Sequence, residues 1–323
     1  MKRFLCIFLV MMLALSLLTG CQEDKTVEAV DIRIGGLKGP TSMGLVNLMD
    51  SSEKGEASNR YTLTVSGSAD EVTPKLLKGE LDIVAVPANL AAVLYNNTEG
   101  KIKLLAINTL GVQYIVEKGN TVQSFADLKG KTIYATGKGS TPEYNLRYLL
   151  KENGIDPDKD VTIEWKSEPT EIVALFSQSS EGVAFMPQPY VTVAQGKIEG
   201  LRVALDLNSA WDELNNGSMM VTGVLVVRSD FAETYPDQIN EFLKEYKKST
   251  ELANSNVAET ATLVEKYNIV TAAVAEKAIP YCNITYIDGE EMKTALEGYL
   301  NVLYTQNPKS VGGKLPDDDI YFK

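Results

Sequence analysis

Histidine is missing from all 323 residues. Its absence removes the general base that titrates near neutrality, the Ser-His and Cys-His pairs of nucleophilic enzymes, and most zinc sites. Cysteine is nearly as scarce. Cys6, Cys21 and Cys282 are the three; none has metal-ligand spacing, and Cys282 reads as a small buried apolar residue. Basic residues number 31 against 43 acidic ones, a net charge of −12. No Lys/Arg stripe offsets that acidity, so a phosphate backbone is repelled and nucleic acid is excluded as a partner. Internal repeats and low-complexity stretches are lacking too. What remains is an ordinary globular chain, 44% apolar and long enough for two domains.

Its one long apolar run, Phe4 to Leu18, follows Lys2 and Arg3 and ends at Leu18-Thr19-Gly20-Cys21. A cationic head, a short apolar segment and small residues make a secretory signal, too brief for a confident membrane span. The Leu-Thr-Gly-Cys end resembles a bacterial lipobox. That resemblance implies removal of residues 1–20, acylation of Cys21, and a polar tether over 21–30 leading from the lipid to the domain. The expected location is the outer face of the cell membrane, held by a lipid anchor. An ordinary cleaved signal with a chance cysteine is the plainer alternative.

From Asp31 the chain alternates short β-rich runs with helical patterns. Strands are expected at Ile32–Gly35, Tyr61–Val65, Ile83–Val86, Lys103–Ile107, Tyr114–Val116, Thr132–Ala135, Val161–Trp165, Gly182–Phe185, Leu201–Leu205 and Val224–Arg228. Helices are expected between them, near Ser42–Leu48, Ala69–Lys78, Asn89–Asn96, Phe125–Leu128, Pro142–Asn153, Thr170–Gln178, Pro189–Gln195 and Trp211–Leu214. This spacing predicts an α/β fold of βαβ units with mostly parallel sheets. Beyond Pro236 the pattern becomes helical throughout: Pro236–Ser255, Val257–Tyr267, Thr271–Ala278 and Gly289–Thr305.

Several loops carry helix-start residues: Gly39-Pro40-Thr41-Ser42, Ser66-Gly67-Ser68-Ala69, Pro87-Ala88-Asn89, Gly137-Lys138-Gly139-Ser140-Thr141-Pro142 and Glu168-Pro169-Thr170. Each lies at the carboxyl end of an expected strand, where ligands settle in open α/β sheets. The Gly137–Thr141 run lacks the spacing of a phosphate loop, and a capped helix explains it as well. Tyr114, Tyr144, Tyr190, Trp165 and Trp211 are possible stacking surfaces, although any one aromatic is as readily core. Glu117-Lys118 shows no partner pattern, and Asp317-Asp318-Asp319 reads as a solvated tail.

Two stretches look like signatures of certain solute-binding proteins of bacterial ABC importers: Leu77-Lys78-Gly79-Glu80-Leu81-Asp82-Ile83-Val84-Ala85-Val86-Pro87-Ala88 and Leu128 to Thr141. Glu168 to Leu175, Met186-Pro187-Gln188-Pro189-Tyr190 and Val226 to Pro236 fit the same order. The family is that of the nitrate, aliphatic-sulfonate, taurine and thiamine-precursor binding proteins, and the resemblance spans nearly all of the chain after the signal. It implies a type II periplasmic-binding-protein fold: two doubly wound lobes joined by two crossing strands, with ligand between. Lobe one would run over 31–110, lobe two over 111–222, and the chain would return to lobe one and its C-terminal helices over 223–323. Gly111–Tyr114 and Val221–Val224 would be the hinges. A related synthase of the thiamine pyrimidine shares this fold but depends on a histidine and a cysteine-rich motif, both absent here.

The expected function is capture of a small-molecule solute and delivery to an ABC permease with its ATPase, as a monomer, without metal, cofactor or catalysis. The candidate ligand-binding residues are Pro40, Thr41, Ser42, Ser68, Ala69, Pro87, Ala88 and Asn89 from lobe one, with Gly139, Ser140, Thr141, Glu168 and Tyr190 from lobe two. No arginine lies in these loops to clamp an anion. A neutral or cationic heterocycle, such as a thiamine-type pyrimidine, therefore fits better than a sulfonate, taurine or nitrate. A histidine-free enzyme on the same fold and a ligand-sensing lipoprotein without a permease stay open as other classes.

Overall fold

The computed structural model describes residues 28–323. The signal 1–20, Cys21 and the tether up to residue 27 lie outside the described residues. Two sheets organise the rest, in one shared pattern. The first is six-stranded, in the order β2-β1-β3-β10-β4-β11. Its strands are β1 (Asp31–Leu37), β2 (Arg60–Ser66), β3 (Ile83–Pro87), β4 (Ile102–Leu110), β10 (Val221–Arg228) and β11 (Ile284–Ile287). The second is five-stranded, in the order β7-β6-β8-β5-β9. It comprises β5 (Gln113–Lys118), β6 (Thr132–Ala135), β7 (Thr162–Trp165), β8 (Gly182–Pro187) and β9 (Leu201–Asp206).

In each sheet an antiparallel strand separates the third and fourth parallel ones: β10 between β3 and β4, β5 between β8 and β9. Each separating strand arrives directly from the other lobe. β5 follows β4 after only Gly111 and Val112, and β10 follows the last elements of the second sheet. The result is a two-lobed α/β molecule with doubly wound sheets and two crossings.

Helices follow the strands. α1 (Pro40–Met43) and α2 (Val46–Glu53) come after β1, α3 (Ala69–Leu77) after β2, and α4 (Ala88–Asn97) after β3. The second lobe carries α5 (Thr141–Glu152), α6 (Pro169–Gln178), α7 (Tyr190–Lys197) and α8 (Leu207–Glu213). Local chemistry sets these starts. α5 and α6 have proline in the first turn, and Glu168 with Glu171 forms a capping box at α6. Asp206 Oδ1 accepts from the Asn208 and Ser209 amides at 2.9 and 3.2 Å to open α8.

The tail supplies α9 (Ser229–Thr234), α10 (Pro236–Ser255), α11 (Val257–Lys266), α12 (Ala272–Ala278) and α13 (Gly289–Gln306). α10 buries Ile239, Phe242, Tyr246 and Ala253, a single stripe at helical spacing. Among the described residues no helix is long and apolar enough to cross a membrane.

Some expectations need correction. The helix expected over Ser42–Leu48 is broken at Gly44-Leu45 into α1 and α2. A Cβ on Gly44 would stand 3.0 Å from Tyr246 Oη and 3.1 Å from Ile284 Cγ2, so the break lets this turn press onto α10 and β11. Phe125–Leu128 is a 3-10 turn. β11 lies inside a tail read as purely helical. Glu117 has a partner after all, Arg202 across β5 and β9. The aspartates of the tail are exposed as expected, but they also have partners: Asp317 accepts from Tyr95, and Asp318 pairs with Lys293 at 2.8 Å.

Candidate functional site

The helix starts that follow β3 and β6, strands of different sheets, meet through Asn89 and Thr141 and mark the junction. α1 is buried throughout and packs on β1, β3, β4, β10 and β11. Pro40, Thr41 and Ser42 are therefore at the centre of the first lobe's face. The Thr41 carbonyl accepts from Asn108 Nδ2 at 3.1 Å. Pro87 is half-buried at the cap of α4, with Ala88 and Asn89 buried in its first turn.

Asn89 makes one direct link between the lobes. Its Nδ2 donates to the Ser310 carbonyl at 3.2 Å, which turns Oδ1 toward the second lobe; there it accepts from Thr141 Oγ1 at 2.5 Å. Both residues are buried. Beside them Tyr299 Oη of α13 donates to Asn145 Oδ1 at 2.8 Å, and Asn145 Nδ2 donates to Gln113 Oε1 at 2.9 Å. These three residues are also buried, so the relay is sheltered from water.

Other candidates sit further out or are engaged locally. Ser68 is exposed at the cap of α3, 3.4 Å from Glu71 Oε1, with Ala69 half-buried beside it. The Gly139 amide already donates to Glu143 Oε2 at 2.7 Å, and Ser140 Oγ donates to the Gly137 carbonyl at 2.7 Å. Glycine is required in that loop because Gly137 and Gly139 have φ of 85° and 77°. Glu168 is exposed and caps α6. It lies close enough to the half-buried Tyr190 for its charge to act there: burial pushes the Tyr190 hydroxyl pKa up, and Glu168 adds to the rise.

Two of the aromatics are structural. Trp211 is fully buried between Tyr148 and Tyr299, with centroids at 4.8 and 5.5 Å, and offers no stacking face. Tyr114 is buried and donates to the Tyr281 carbonyl at 3.1 Å. Cys282 is buried, and burial pushes its thiol well above the usual range, which suits an inert residue.

The junction also holds residues that the sequence reading did not name as ligand candidates: Asn108, Thr109 and Asn145, with Gln113 and Thr222 inside the expected hinges and Gln188 inside a quoted motif. For those on strands the signal was an amide or hydroxyl set into or beside an apolar run, as in Leu104-Leu105-Ala106-Ile107-Asn108-Thr109-Leu110; Asn145 stands instead on the buried face of α5. Gly111 and Gly223 flank them. Neither has the left-handed backbone; what demands glycine is space. A Cβ on Gly111 would meet Met220 Cε at 2.1 Å, and one on Gly223 would meet Thr41 Cγ2 at 2.5 Å.

Known proteins share this architecture. A crystal structure of an ABC transporter from Parabacteroides distasonis is 27% identical and superposes with a TM-score of 0.77, covering 90% of this chain and 98% of that one. The periplasmic aliphatic sulphonate binding protein of Escherichia coli superposes at 0.72 with 19% identity, covering 91% and 92% of the two chains. A Brucella abortus protein named for a binding role is 24% identical over 183 residues, 57% of this chain and 55% of that protein. The chain thus spans about half the length of the curated relatives it matches. Residues 44–266, well over half of the sequence, match the model of the NMT1-like family, and the chain belongs to that family.

Proposed function

We propose that this chain is a lipid-anchored extracytoplasmic receptor that captures a small organic solute between its lobes and hands it to an ABC permease with its ATPase. The observation that carries the reading is the Asn89–Thr141 hydrogen bond. It joins the first turns of helices that follow strands of opposite sheets, so the lobes meet at the place where such sheets bind ligands. Solute would bridge the same faces, and its greater affinity for the closed arrangement would shift an open–closed equilibrium. The family and the names of similar folds support a transport role, and a chain without histidine is poorly equipped for catalysis.

For the cargo we infer an uncharged or cationic heterocycle of thiamine-pyrimidine type. Each arginine among the described residues is already in an ion pair: Arg33 and Arg228 with Asp82, Arg60 with Asp31, Arg147 with Asp158, Arg202 with Glu117. None is left to clamp an anion by two hydrogen bonds. A small anion is the second reading, favoured by the sulphonate and nitrate binders among the similar folds and by the helix starts at the junction.

The test is thermal unfolding of protein refolded from denaturant, begun at residue 22, against pyrimidines, sulfonates, taurine, nitrate and amino acids. A ligand at a hundred times its dissociation constant adds about 2.7 kcal/mol of stability. One saturable shift, accompanied by compaction in small-angle scattering, is expected. No shift and no compaction with any solute would overturn the receptor reading.

A further inference from the structure

Among the described residues, four buried oxygens at the crossing between the lobes have no hydrogen-bond partner: Ser42 Oγ, Asn108 Oδ1, Thr109 Oγ1 and Thr222 Oγ1. Buried polar atoms are almost always paired, so a group of orphans asks for an explanation. Asn108 is the informative member. It is the residue bulged out of β4: Ile107 pairs with Val224 and Thr109 with Gly223, leaving Asn108 between them without a partner. A bulge re-aims a side chain, and here it turns the amide toward α1.

The bond from Nδ2 to the Thr41 carbonyl then settles which end of the amide is which. Flipped, Oδ1 would face that carbonyl, acceptor against acceptor. Oδ1 is thus a committed acceptor. It lies over Gly223, where a Cβ would come within 2.6 Å of it, just as Ser42 Oγ lies over Gly36, where a Cβ would come within 2.2 Å. Glycine at both places keeps a side chain off the oxygens. The three hydroxyls can donate or accept; only Asn108 imposes a sign.

We propose that Asn108 Oδ1 is the specificity-determining acceptor of the solute site, and that the solute, uncharged or cationic, presents an N–H to it, as an aminopyrimidine or a carboxamide does. This rests on the receptor reading above. An ionised sulfonate brings acceptor oxygens only. Set against Oδ1 it would leave the amide unpaired and repelled, and a site built for a hydrogen bond rejects the ligand that lacks one.

Calorimetric titration of the refolded protein with a hydroxymethyl aminopyrimidine, nicotinamide and ethanesulfonate decides the matter. At least one N–H ligand is expected to bind about a hundredfold more tightly than ethanesulfonate. Asn108→Ala is expected to weaken that ligand at least about tenfold. Thr222→Val, a near-isosteric change, should weaken it less without altering the preference, and serves if the first variant does not fold. Equal or tighter binding of ethanesulfonate overturns the inference and leaves the receptor standing. Unchanged affinity in a folded Asn108→Ala protein overturns the role of that residue alone. Binding of no solute at all removes the receptor reading and this inference with it.

Discussion

Asn89 can bridge the lobes because its amide is held at both ends. The Ser310 carbonyl takes the donor, which leaves Oδ1 for the Thr141 hydroxyl. Thr141→Val keeps the shape and removes the donor, stranding a buried acceptor at a cost of about 1–3 kcal/mol. Thr141→Ser should restore most of it; urea midpoints measure both. Glu117 works differently. Burial alone would push its carboxyl up, but the Thr121 hydroxyl and amide, the Val122 amide and Arg202 outweigh that and hold its pKa below the usual glutamate range. A depressed folded pKa contributes stability that is present above the unfolded value of about 4.3 and is lost as pH falls through the folded one. Glu117→Gln should therefore cost about 1–3 kcal/mol near neutrality and flatten the loss of melting temperature below pH ~4.3. Asn89 and Thr141 were legible in the sequence because they stand in loops rich in proline, glycine and hydroxyls. Asn108 and Asn145 were not. A lone amide in an apolar segment has the same local pattern whether it ends an element or faces another lobe.

Among elements, the strands were read with few errors because their signal is local: short β-branched runs bounded by glycine, proline and helix caps. β11 escaped for want of such a signal. Its four residues pair with β4 only at Thr109 and Ile107, so its place in the sheet depends on a distant partner. The same holds for the split between α1 and α2, which is set by the packing of Gly44 on α10. Where glycine marks a close approach, substitution tests it. Gly223→Ala would force a methyl into Thr41 and Asn108, and the space there is closed by α1. We expect a loss of about 1–3 kcal/mol, seen as a lower melting temperature. Gly130→Ala is a contrasting case: among the described residues nothing lies within 4 Å of the new methyl, and its cost comes from φ of 77°.

At the scale of the molecule the two sides of the junction differ. On one side a single apolar core runs through both lobes, joining Val84, Ile107, Leu296 and Tyr299 to Ile133, Leu146 and Trp211. On the other, α7 touches α12 while their apolar residues belong to separate clusters. Opening between separate cores exposes less apolar surface than tearing a shared one. Spin labels at Lys197 and Lys277 should therefore move together by more than about 2 Å when solute binds, while labels at Lys151 and Asn301, across the shared core, hold their distance. Equal movement of both pairs would contradict this.

The place of β10 has a consequence for how the chain is made. β3 and β4 do not pair with each other; each pairs with β10. A nascent chain that has reached Leu110 thus holds two strands with a gap between them, their edges open to wrong partners. The stretch from Gln113 to Asp206 contains every strand of its own sheet. On a ribosome, the middle of this protein has all it needs to form a finished sheet before the beginning does.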